Sequence, residues 1–280
     1  DNSFSQLSPR INTNVQYQLN KGMLLWSFNF VNSNHGMDVI NRAMIQVNSH
    51  MMEKGMPELK KSHDINTYLY YMGRFNRLSV SAIGQFRYNH HPVTDDYYLD
   101  EANGKIVKTY SNGGNAQYYS AILALQYKLC KFANLSGDIR YNHAELKTTW
   151  SKHNNNLTGN LGLNMFMGDF ALKPYLHFGK KSLDEAALVI NKTPIDYGMS
   201  CSYSRGNLYV ELQAASPFKK QEKQYWLDLP IYSYSKSIKD QTASQYASIK
   251  VAYSFDFGRK TQKVEKDVNK NINSSLLRVE

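Results

Sequence analysis

Polar and apolar residues alternate along most of this chain, and this alternation constrains its fold more than any other feature. On the segment 134–142, one face carries Leu135, Gly137, Ile139 and Tyr141, and the other carries Ser136, Asp138, Arg140 and Asn142. A period of two places successive side chains on opposite faces of a β-strand. Similar runs at 78–89 and 248–257 have roughly the nine to eleven residues that a tilted strand needs to cross a bilayer. The sequence therefore predicts long, two-faced strands.

The same period along the whole chain predicts eleven strands joined by alternating short and long connections. The strands are predicted at 11–20, 22–33, 62–73, 77–90, 115–130, 134–150, 155–167, 169–180, 194–204, 207–216 and 243–258. Tight turns are predicted at 20–22, 74–76, 131–133, 168–169 and 205–206, and long loops at 34–61, 91–114, 181–193 and 217–242, with 151–154 as a short exception. Short turns on one rim and long loops on the other are typical of an outer-membrane barrel.

Composition excludes two classes of protein. The mean hydropathy is −0.55, and no uninterrupted apolar stretch approaches the roughly 18 residues of a membrane-spanning helix, so a helical membrane protein is excluded. Membrane barrels remain open, because their alternating strands keep the mean hydropathy low. The net charge of +10 comes from scattered residues without an aromatic-basic motif, so no nucleic-acid partner is expected.

The chain begins at Asp1 without a basic or apolar leader, which predicts a piece of a longer protein. Its two cysteines, Cys130 and Cys201, lie on predicted strands that are not adjacent. A disulfide between them is therefore not expected.

Several short motifs occur in a specific order. They are Phe4-Ser5-Gln6-Leu7-Ser8-Pro9, Gly55-Met56-Pro57-Glu58-Leu59-Lys60, Ala215-Ser216-Pro217-Phe218 and Tyr253-Ser254-Phe255-Asp256-Phe257-Gly258-Arg259-Lys260. In this order they resemble the C-terminal region of TonB-dependent-receptor-like outer-membrane β-barrel proteins of Bacteroidetes type. The last segment is similar to that family's final strand.

The resemblance implies an all-β fold, an antiparallel transmembrane β-barrel in which about eleven strands form the C-terminal half of a roughly 22-stranded barrel. Residues 1–260 would be the C-terminal part of the barrel, and 261–280 a polar C-terminal tail. The implied location is the outer membrane, and the implied function is TonB-dependent nutrient uptake. The implied partners are outer-membrane lipid, a missing N-terminal plug and barrel half, the TonB system and an extracellular nutrient.

Two alternatives stay open. A barrel of the same build could serve adhesion or envelope structure without energised transport. A soluble β-sandwich that binds carbohydrate would also alternate, but with its apolar face inward. Strand length, one-sided loops and aromatics near strand ends, as in a membrane girdle, favour the barrel. The predicted girdle residues are Tyr17, Tyr127, Tyr141, Tyr203 and Phe257.

No enzymatic constellation is evident, and the chain is not expected to be an enzyme. The histidines, which all map to the long-loop side, are His35, His50, His63, His90, His91, His143, His153 and His177. With Met37, Met44, Met51, Met52 and Met56 in the first loop, soft-metal or haem capture is conceivable, but no pair has ligand spacing. We interpret these residues, and the acidic pairs Asp95-Asp96 and Asp184-Glu185, as solvated loop surface. No catalytic, cofactor or metal residue is assigned, and the ligand-binding residues stay unknown.

The alternation also predicts the wall of a polar lumen. The predicted inward set is Gln16, Gln18, Asn29, Gln85, Arg87, Gln126, Lys128, Asp138, Arg140, Asn160, Asn164, Lys173, Lys250 and Asp256. An odd number of strands cannot close into an ordinary antiparallel barrel. The sequence therefore predicts an open, curved sheet whose first and last strands do not pair with each other.

Overall fold

The computed structural model describes residues 8–33, 35–218, 222–239 and 245–255. Its elements in chain order are β1 (Arg10–Leu19), β2 (Gly22–Ser33), α1 (Met37–Ile40), β3 (Met44–Asn48), β4 (Met51–Lys54), β5 (Ser62–Phe75), β6 (Leu78–His90), β7 (Thr94–Asp100), β8 (Lys105–Ser111), β9 (Asn115–Cys130), β10 (Ala133–Lys147), β11 (Lys152–Met167), β12 (Phe170–His177), β13 (Lys180–Asp184), β14 (Val189–Thr193), β15 (Asp196–Arg205), β16 (Leu208–Ala215), β17 (Lys223–Asp228), β18 (Ser233–Ile238) and β19 (Tyr246–Tyr253). The predicted tail, 261–280, lies outside the described residues, as do Asp256 and Phe257.

Eleven of these strands form one antiparallel sheet. Its order is β1-β2-β5-β6-β9-β10-β11-β12-β15-β16-β19, so strands that follow one another in this set are also neighbours in space. The eleven predicted strands are confirmed, with boundaries shifted by a few residues. Within the described residues β1 and β19 are the two edges and do not pair with each other, so the sheet is open, as the odd strand number predicts.

Tight turns join every second pair of these strands. Asn76, Gly168 and Gly206 lie at three of the turns with φ of 52°, 60° and 56°. This left-handed region favours glycine and asparagine, which explains why these residue types occupy the turns. The tight turns predicted at 74–76, 168–169 and 205–206 are therefore confirmed.

The cross-strand register sorts the side chains into two faces. Leu123 of β9 lies opposite Ile139 of β10 and Ala82 of β6, whereas Gln126 lies opposite Ser136 and Ser79. The same register places the whole predicted inward set on one face, except Asp256, which lies outside the described residues. The sheet thus has one polar face and one apolar face.

The polar face is the concave one. Polar-face side chains from Gln85 of β6 to Tyr246 of β19 line a single cavity, which requires the sheet to curve around it. The apolar face is convex and open: Ile139, Leu161 and Ile249 expose 59%, 46% and 72% of their surface. A soluble sandwich would instead bury its apolar face against a second sheet.

The long connections are not irregular loops, contrary to the sequence-based expectation. They contain the other eight strands, which form two four-stranded sheets in the orders β3-β4-β8-β7 and β13-β14-β17-β18. The first of these includes a parallel pair, β4 with β8, and the remaining pairs are antiparallel. We refer to these two sheets together as the cap.

The cap contains the main hydrophobic core of the described residues. Leu146 at the end of β10 packs with Leu188 before β14 and Leu227 of β17, and all three are almost completely buried. Tyr97 of β7 contacts Tyr232 with ring centroids 5.3 Å apart, which joins the two sheets of the cap. Burial of each such side chain contributes about 1.5–3 kcal/mol, so the cap is a folded unit.

Two further observations complete the fold. No helix in the described part of the chain is long and apolar enough to cross a membrane. Cys130 and Cys201 are both free and lie on β9 and β15, with three strands of the sheet between them. The expectation that they are not joined by a disulfide is confirmed.

Candidate ligand-binding cavity

A cavity of about 850 Å³ lies between the polar face of the main sheet and the cap. Its floor consists of the loop-side halves of β9, β10, β11 and β12, and its roof consists of β13 and neighbouring cap residues such as Thr193, Lys223 and Ile238. Volumes of this size are typical of sites for small organic ligands. The cavity is therefore the candidate ligand-binding site.

The β13 strand forms the roof because side-chain amides of β11 hold it there. The Asn154 Nδ2 atom donates to the Lys181 carbonyl at 3.1 Å, and the Lys181 amide donates to Asn156 Oδ1 at 2.7 Å. Three residues before Lys181, the Phe178 amide donates to the Gly159 carbonyl oxygen at 2.8 Å, and Thr158 Oγ1 donates to the Phe178 carbonyl oxygen at 3.0 Å. The chain after β12 therefore folds inward over the polar face.

The same two asparagines leave buried polar atoms without a partner. Asn154 and Asn156 are each only 6% exposed, and Asn154 Oδ1 and Asn156 Nδ2 make no hydrogen bond to any described residue. A buried unpaired polar atom costs about 1–3 kcal/mol. Such atoms beside a cavity indicate a water molecule or a polar ligand group that completes them.

The acidic groups around the cavity are only partly compensated, because His177 is charged only when it is protonated and Arg87 also pairs with Asp64, at 2.7 Å. Asp138 pairs with Arg140 at 2.7 Å, and Asp196 lies 3.4 Å from His177 Nδ1 and accepts from Ser216 Oγ at 3.0 Å. The Glu185 carboxylate is 4.0 Å from Arg87 Nη1. Burial raises the pKa of Glu185, and the Arg87 guanidinium opposes that shift.

The lysines of the cavity are not compensated. Lys180, Lys181 and Lys223 line it, and none of them has an ion pair with any described residue. Lys181 Nζ lies over the Trp226 ring at 5.6 Å, which fixes its position without neutralising its charge. The strand register places Lys181 and Trp226 on one face of the sheet that contains β13, β14 and β17, and Lys180 and Lys223 on the other, so the Lys181 ammonium points away from the other two lysines.

Aromatic rings contribute flat apolar patches to the same cavity. Tyr175 and His177 lie two residues apart on β12 with ring centroids 4.8 Å apart. Gly198 faces Tyr175 across the sheet, and a Cβ atom there would lie 2.7 Å from the Tyr175 hydroxyl and would also collide with the Ala214 carbonyl oxygen. Glycine at 198 therefore leaves room for the Tyr175 ring.

Sequence reasoning identified only part of this site. Gln85, Arg140 and Asn160 of the predicted inward set line the cavity, whereas Gln16, Gln18 and Lys250 lie on the same face outside it. Asn154 and Asn156 were missed, because 154 was assigned to a connection and the inward fold of β13 has no local signature. The alternation of β11, extended three residues toward Lys152, would have placed both asparagines on the polar face.

The histidines lie toward the long-loop side, as predicted, and three of them are neighbours: the ring centroids of His63 and His90 are 6.2 Å apart, and those of His90 and His91 are 3.8 Å apart. His63, His90 and His143 each contact an asparagine directly across the strand pair, namely Asn32, Asn115 and Asn155, at 2.5, 2.7 and 2.5 Å. These pairs lie on the apolar face at its loop end. The described residues contain no group of three or more His, Cys, Asp or Glu side chains arranged to hold a metal ion.

The interpretation of Asp95 and Glu185 as solvent-exposed loop residues is wrong, because both carboxyl groups are at least partly buried. Asp95 is 8% exposed, and Lys108 Nζ bridges it at 3.2 Å to Glu53 at 3.5 Å. Burial raises the pKa of the Asp95 carboxyl, although Lys108 opposes this shift. Burial also disfavours the charge on Lys108, but Asp95 and Glu53 outweigh burial and raise its pKa above the ordinary 10.5.

This bridge predicts a stability effect confined to the cap. Lys108→Met leaves two carboxylates together without their cation and should destabilise the cap by about 1–3 kcal/mol, less than for a fully buried pair because the site is partly exposed. The wild-type contribution of Lys108 is present below its ordinary pKa of 10.5 and is lost as the pH rises through its raised folded value. Hydrogen exchange of β7 and β8 amides measures the effect.

Lys105→Met on the same strand is the matched control, because within the described residues the Lys105 ammonium has no ion pair and donates to the neutral Gln46 Oε1 at 3.5 Å. It should change exchange by less than about 0.5 kcal/mol. Equal protection of β7 and β8 in both variants would contradict a stabilising role for the Lys108 bridge.

Neither a protein-family model nor a curated protein sequence matches this chain.

Proposed function

We propose that this chain forms part of the wall of an outer-membrane receptor barrel that takes up a nutrient with energy from the TonB system. The observation that carries the proposal is the curved eleven-stranded sheet with an apolar convex face and a polar concave face. This is the arrangement that lipid outside and water inside require of a barrel wall.

The rims of the sheet support the same proposal. Tight turns lie along one edge, and the folded cap lies along the other, beside the candidate cavity. Tyr17, Tyr127 and Tyr203 lie on the apolar face within three residues of the turn-side ends of β1, β9 and β15. Tyr141, which the sequence also placed near a strand end, lies near the middle of β10. Aromatic residues at this level suit a membrane interface.

The open edges define what else the proposed barrel contains. Among the described residues, β1 and β19 each have one side without a strand partner, and unpaired backbone groups cost several kcal/mol apiece in lipid. In a meander of eleven strands the two edge strands run in the same direction, so another odd set of antiparallel strands is needed to close them. The family resemblance would supply these strands, together with a plug, from an N-terminal part of the protein.

A barrel with an adhesive role is the second candidate. The cap exposes apolar side chains, with Ile45, Val47 and Leu99 at 59%, 52% and 51% exposure, and such a surface suits contact with another macromolecule. Adhesion would need no energised transport.

Binding to TonB separates the two candidates. The full-length protein, extracted from outer membranes in detergent, is passed over the immobilised periplasmic domain of TonB. The uptake proposal expects specific retention that is lost when the N-terminal plug and its leading segment are deleted. A protein that partitions into detergent but is never retained would support the adhesive role, and one that stays in the aqueous phase would contradict both.

A further inference from the structure

We propose that His63, His90 and His91 form a pH-sensitive junction that releases one sheet of the cap, β3-β4-β8-β7, from the main sheet when the medium becomes acidic. This inference goes beyond the proposed function, because it concerns how the cap is held and does not depend on transport. Three observations carry it: the place of the three histidines in the fold, the contacts of their rings, and the charges around them.

The three histidines lie where the chain passes between the main sheet and this cap sheet. His63 is the second residue of β5, His90 is the last residue of β6, and His91 follows it. The His91 backbone adopts a φ of 59°, and its amide donates to the Gly114 carbonyl oxygen at 3.0 Å, just before β9 begins. The turn at His91 therefore directs the chain from β6 towards β7.

The other connections to this cap sheet meet at the same place. The Lys60 amide, two residues before β5, donates to Asn112 Oδ1 at 3.2 Å, and Asn112 Nδ2 donates back to the Lys60 carbonyl oxygen. His35, which lies between β2 and β3, has its Nε2 atom 2.6 Å from that carbonyl oxygen. The His91 ring forms a hydrogen bond with the Lys61 backbone. All four connections, after β2, β4, β6 and β8, therefore converge on one junction.

The imidazole rings are close enough for their charges to repel one another. The ring centroids of His63 and His90 are 6.2 Å apart, and those of His90 and His91 are 3.8 Å apart. At such distances a like charge disfavours protonation of its neighbour. Two imidazolium rings in this junction would therefore push its segments apart.

The hydrogen bonds of the rings also favour the neutral form of His91. The Nδ1 atoms of His63 and His90 lie 2.5 and 2.7 Å from the Oδ1 atoms of Asn32 and Asn115. The buried Nδ1 atom of His91 makes no hydrogen bond to any described residue. Because an imidazolium has two N–H donors, protonation of His91 would leave a buried donor unpaired.

Carboxylates do not offset the repulsion. In the described part of the chain, none of the three histidines forms an ion pair with an acidic side chain. Asp64 follows His63 in the sequence, but it lies on the opposite face of β5 and pairs with Arg87 at 2.7 Å. The junction therefore gains positive charge on acidification without a neighbouring anion.

The direction of the pH effect follows from His91. Burial lowers the pKa of His91 below its ordinary value of 6.5. Nearby His90, Lys60 and His63 lower it further, and the hydrogen bond with the Lys61 backbone opposes the shift. A histidine with a lowered pKa binds a proton more readily once the junction opens. The closed junction is therefore favoured above pH 6.5 and loses stability as the pH falls through the lowered value.

Hydrogen exchange of the full-length protein in detergent tests this proposal. Exchange is followed by mass spectrometry at about pH 7.5 and about pH 5.5, and each rate is corrected for the intrinsic pH dependence of amide exchange. We expect the amides of 58–64, 91–94, β3, β4, β7 and β8 to exchange roughly fivefold or more faster at the lower pH after this correction. The turn-side halves of β5 and β6 are the internal reference and should show no such change.

A triple substitution of His63→Asn, His90→Asn and His91→Asn should abolish this acid response. Asparagine places an amide nitrogen near the position of the imidazole Nδ1 atom, and it tolerates the positive φ of residue 91, so the junction should stay closed at both pH values. His143→Asn with His153→Asn is the matched control, because these histidines lie on β10 and β11, at least two strands away from β6. The control should retain the response.

The single variant His91→Asn keeps the other two rings in place and should weaken the response, so it provides a test even if the triple variant does not fold. Any of three results would overturn the inference. These are equal corrected exchange of the wild-type protein at both pH values, an undiminished acid response in the single or the triple variant, and an equal loss of the response in the control.

Discussion

Removal of Val251–Gly258 is expected to keep the protein out of the membrane altogether. β19 pairs with β16 over its full length, from Tyr246 opposite Ala215 to Tyr253 opposite Leu208. The deletion removes the end of this edge strand together with its outward-facing Val251 and Tyr253, which are 63% and 54% exposed. Alternating aromatics at this position resemble the terminal signal that outer-membrane insertion machinery reads.

Fractionation of cells that express the full-length protein measures this effect. We expect the deletion variant to be degraded or aggregated in the periplasm, with almost none in the outer-membrane fraction. Removal of Asn269–Glu280, which lies outside the described residues, should leave insertion unchanged and serves as the control. Normal membrane insertion of the first variant would refute a role for β19 in assembly.

An arginine on the convex face is expected to produce the second large effect. Leu123 is 45% exposed at the middle of β9, and its cross-strand neighbours Ile139 and Ala82 are also apolar. If this face meets lipid, Leu123→Arg places a guanidinium near the bilayer midplane and should cost about 2–4 kcal/mol. Reversible folding into lipid vesicles, followed against denaturant, measures this loss.

Gln126→Arg is the control on the same strand. Gln126 lies on the concave face between Ser79 and Ser136, where an added arginine remains in a polar environment. Its cost should be much smaller than that of Leu123→Arg. Equal stability of the two variants would show that the convex face does not meet lipid, and it would remove the main support for a membrane barrel.

Local periodicity was sufficient to predict the main sheet. Each strand of this sheet has two different environments on its two faces, so the sequence must alternate wherever such a strand exists. Asp138 and Ile139 are adjacent in the chain and lie on opposite faces, as their chemistry predicts. Asn76, Gly168 and Gly206 identify the tight turns for an equally local reason, because few residue types adopt positive φ without strain.

The cap could not be predicted in the same way. Its eight strands are each four to seven residues long, and the burial of β7 and β13 does not follow a simple alternation. Its core joins Leu146, Leu188 and Leu227, which are distant in the sequence and form a cluster only after the long connections fold against one another. For the same reason Asp95 reads as a solvated loop residue in the sequence but is buried beside Lys108 in the structure.

The sequence by itself therefore determined the eleven strands, their antiparallel order, their two faces and the open edges, because each depends on neighbours within one strand or one hairpin. Only the tertiary structure decided where a ligand could bind. The cavity exists because Asn154 and Asn156 hold Lys181 and the rest of β13 over the polar face. That contact joins segments about 25 residues apart through side-chain amides, and such a contact leaves no periodic signal in the chain.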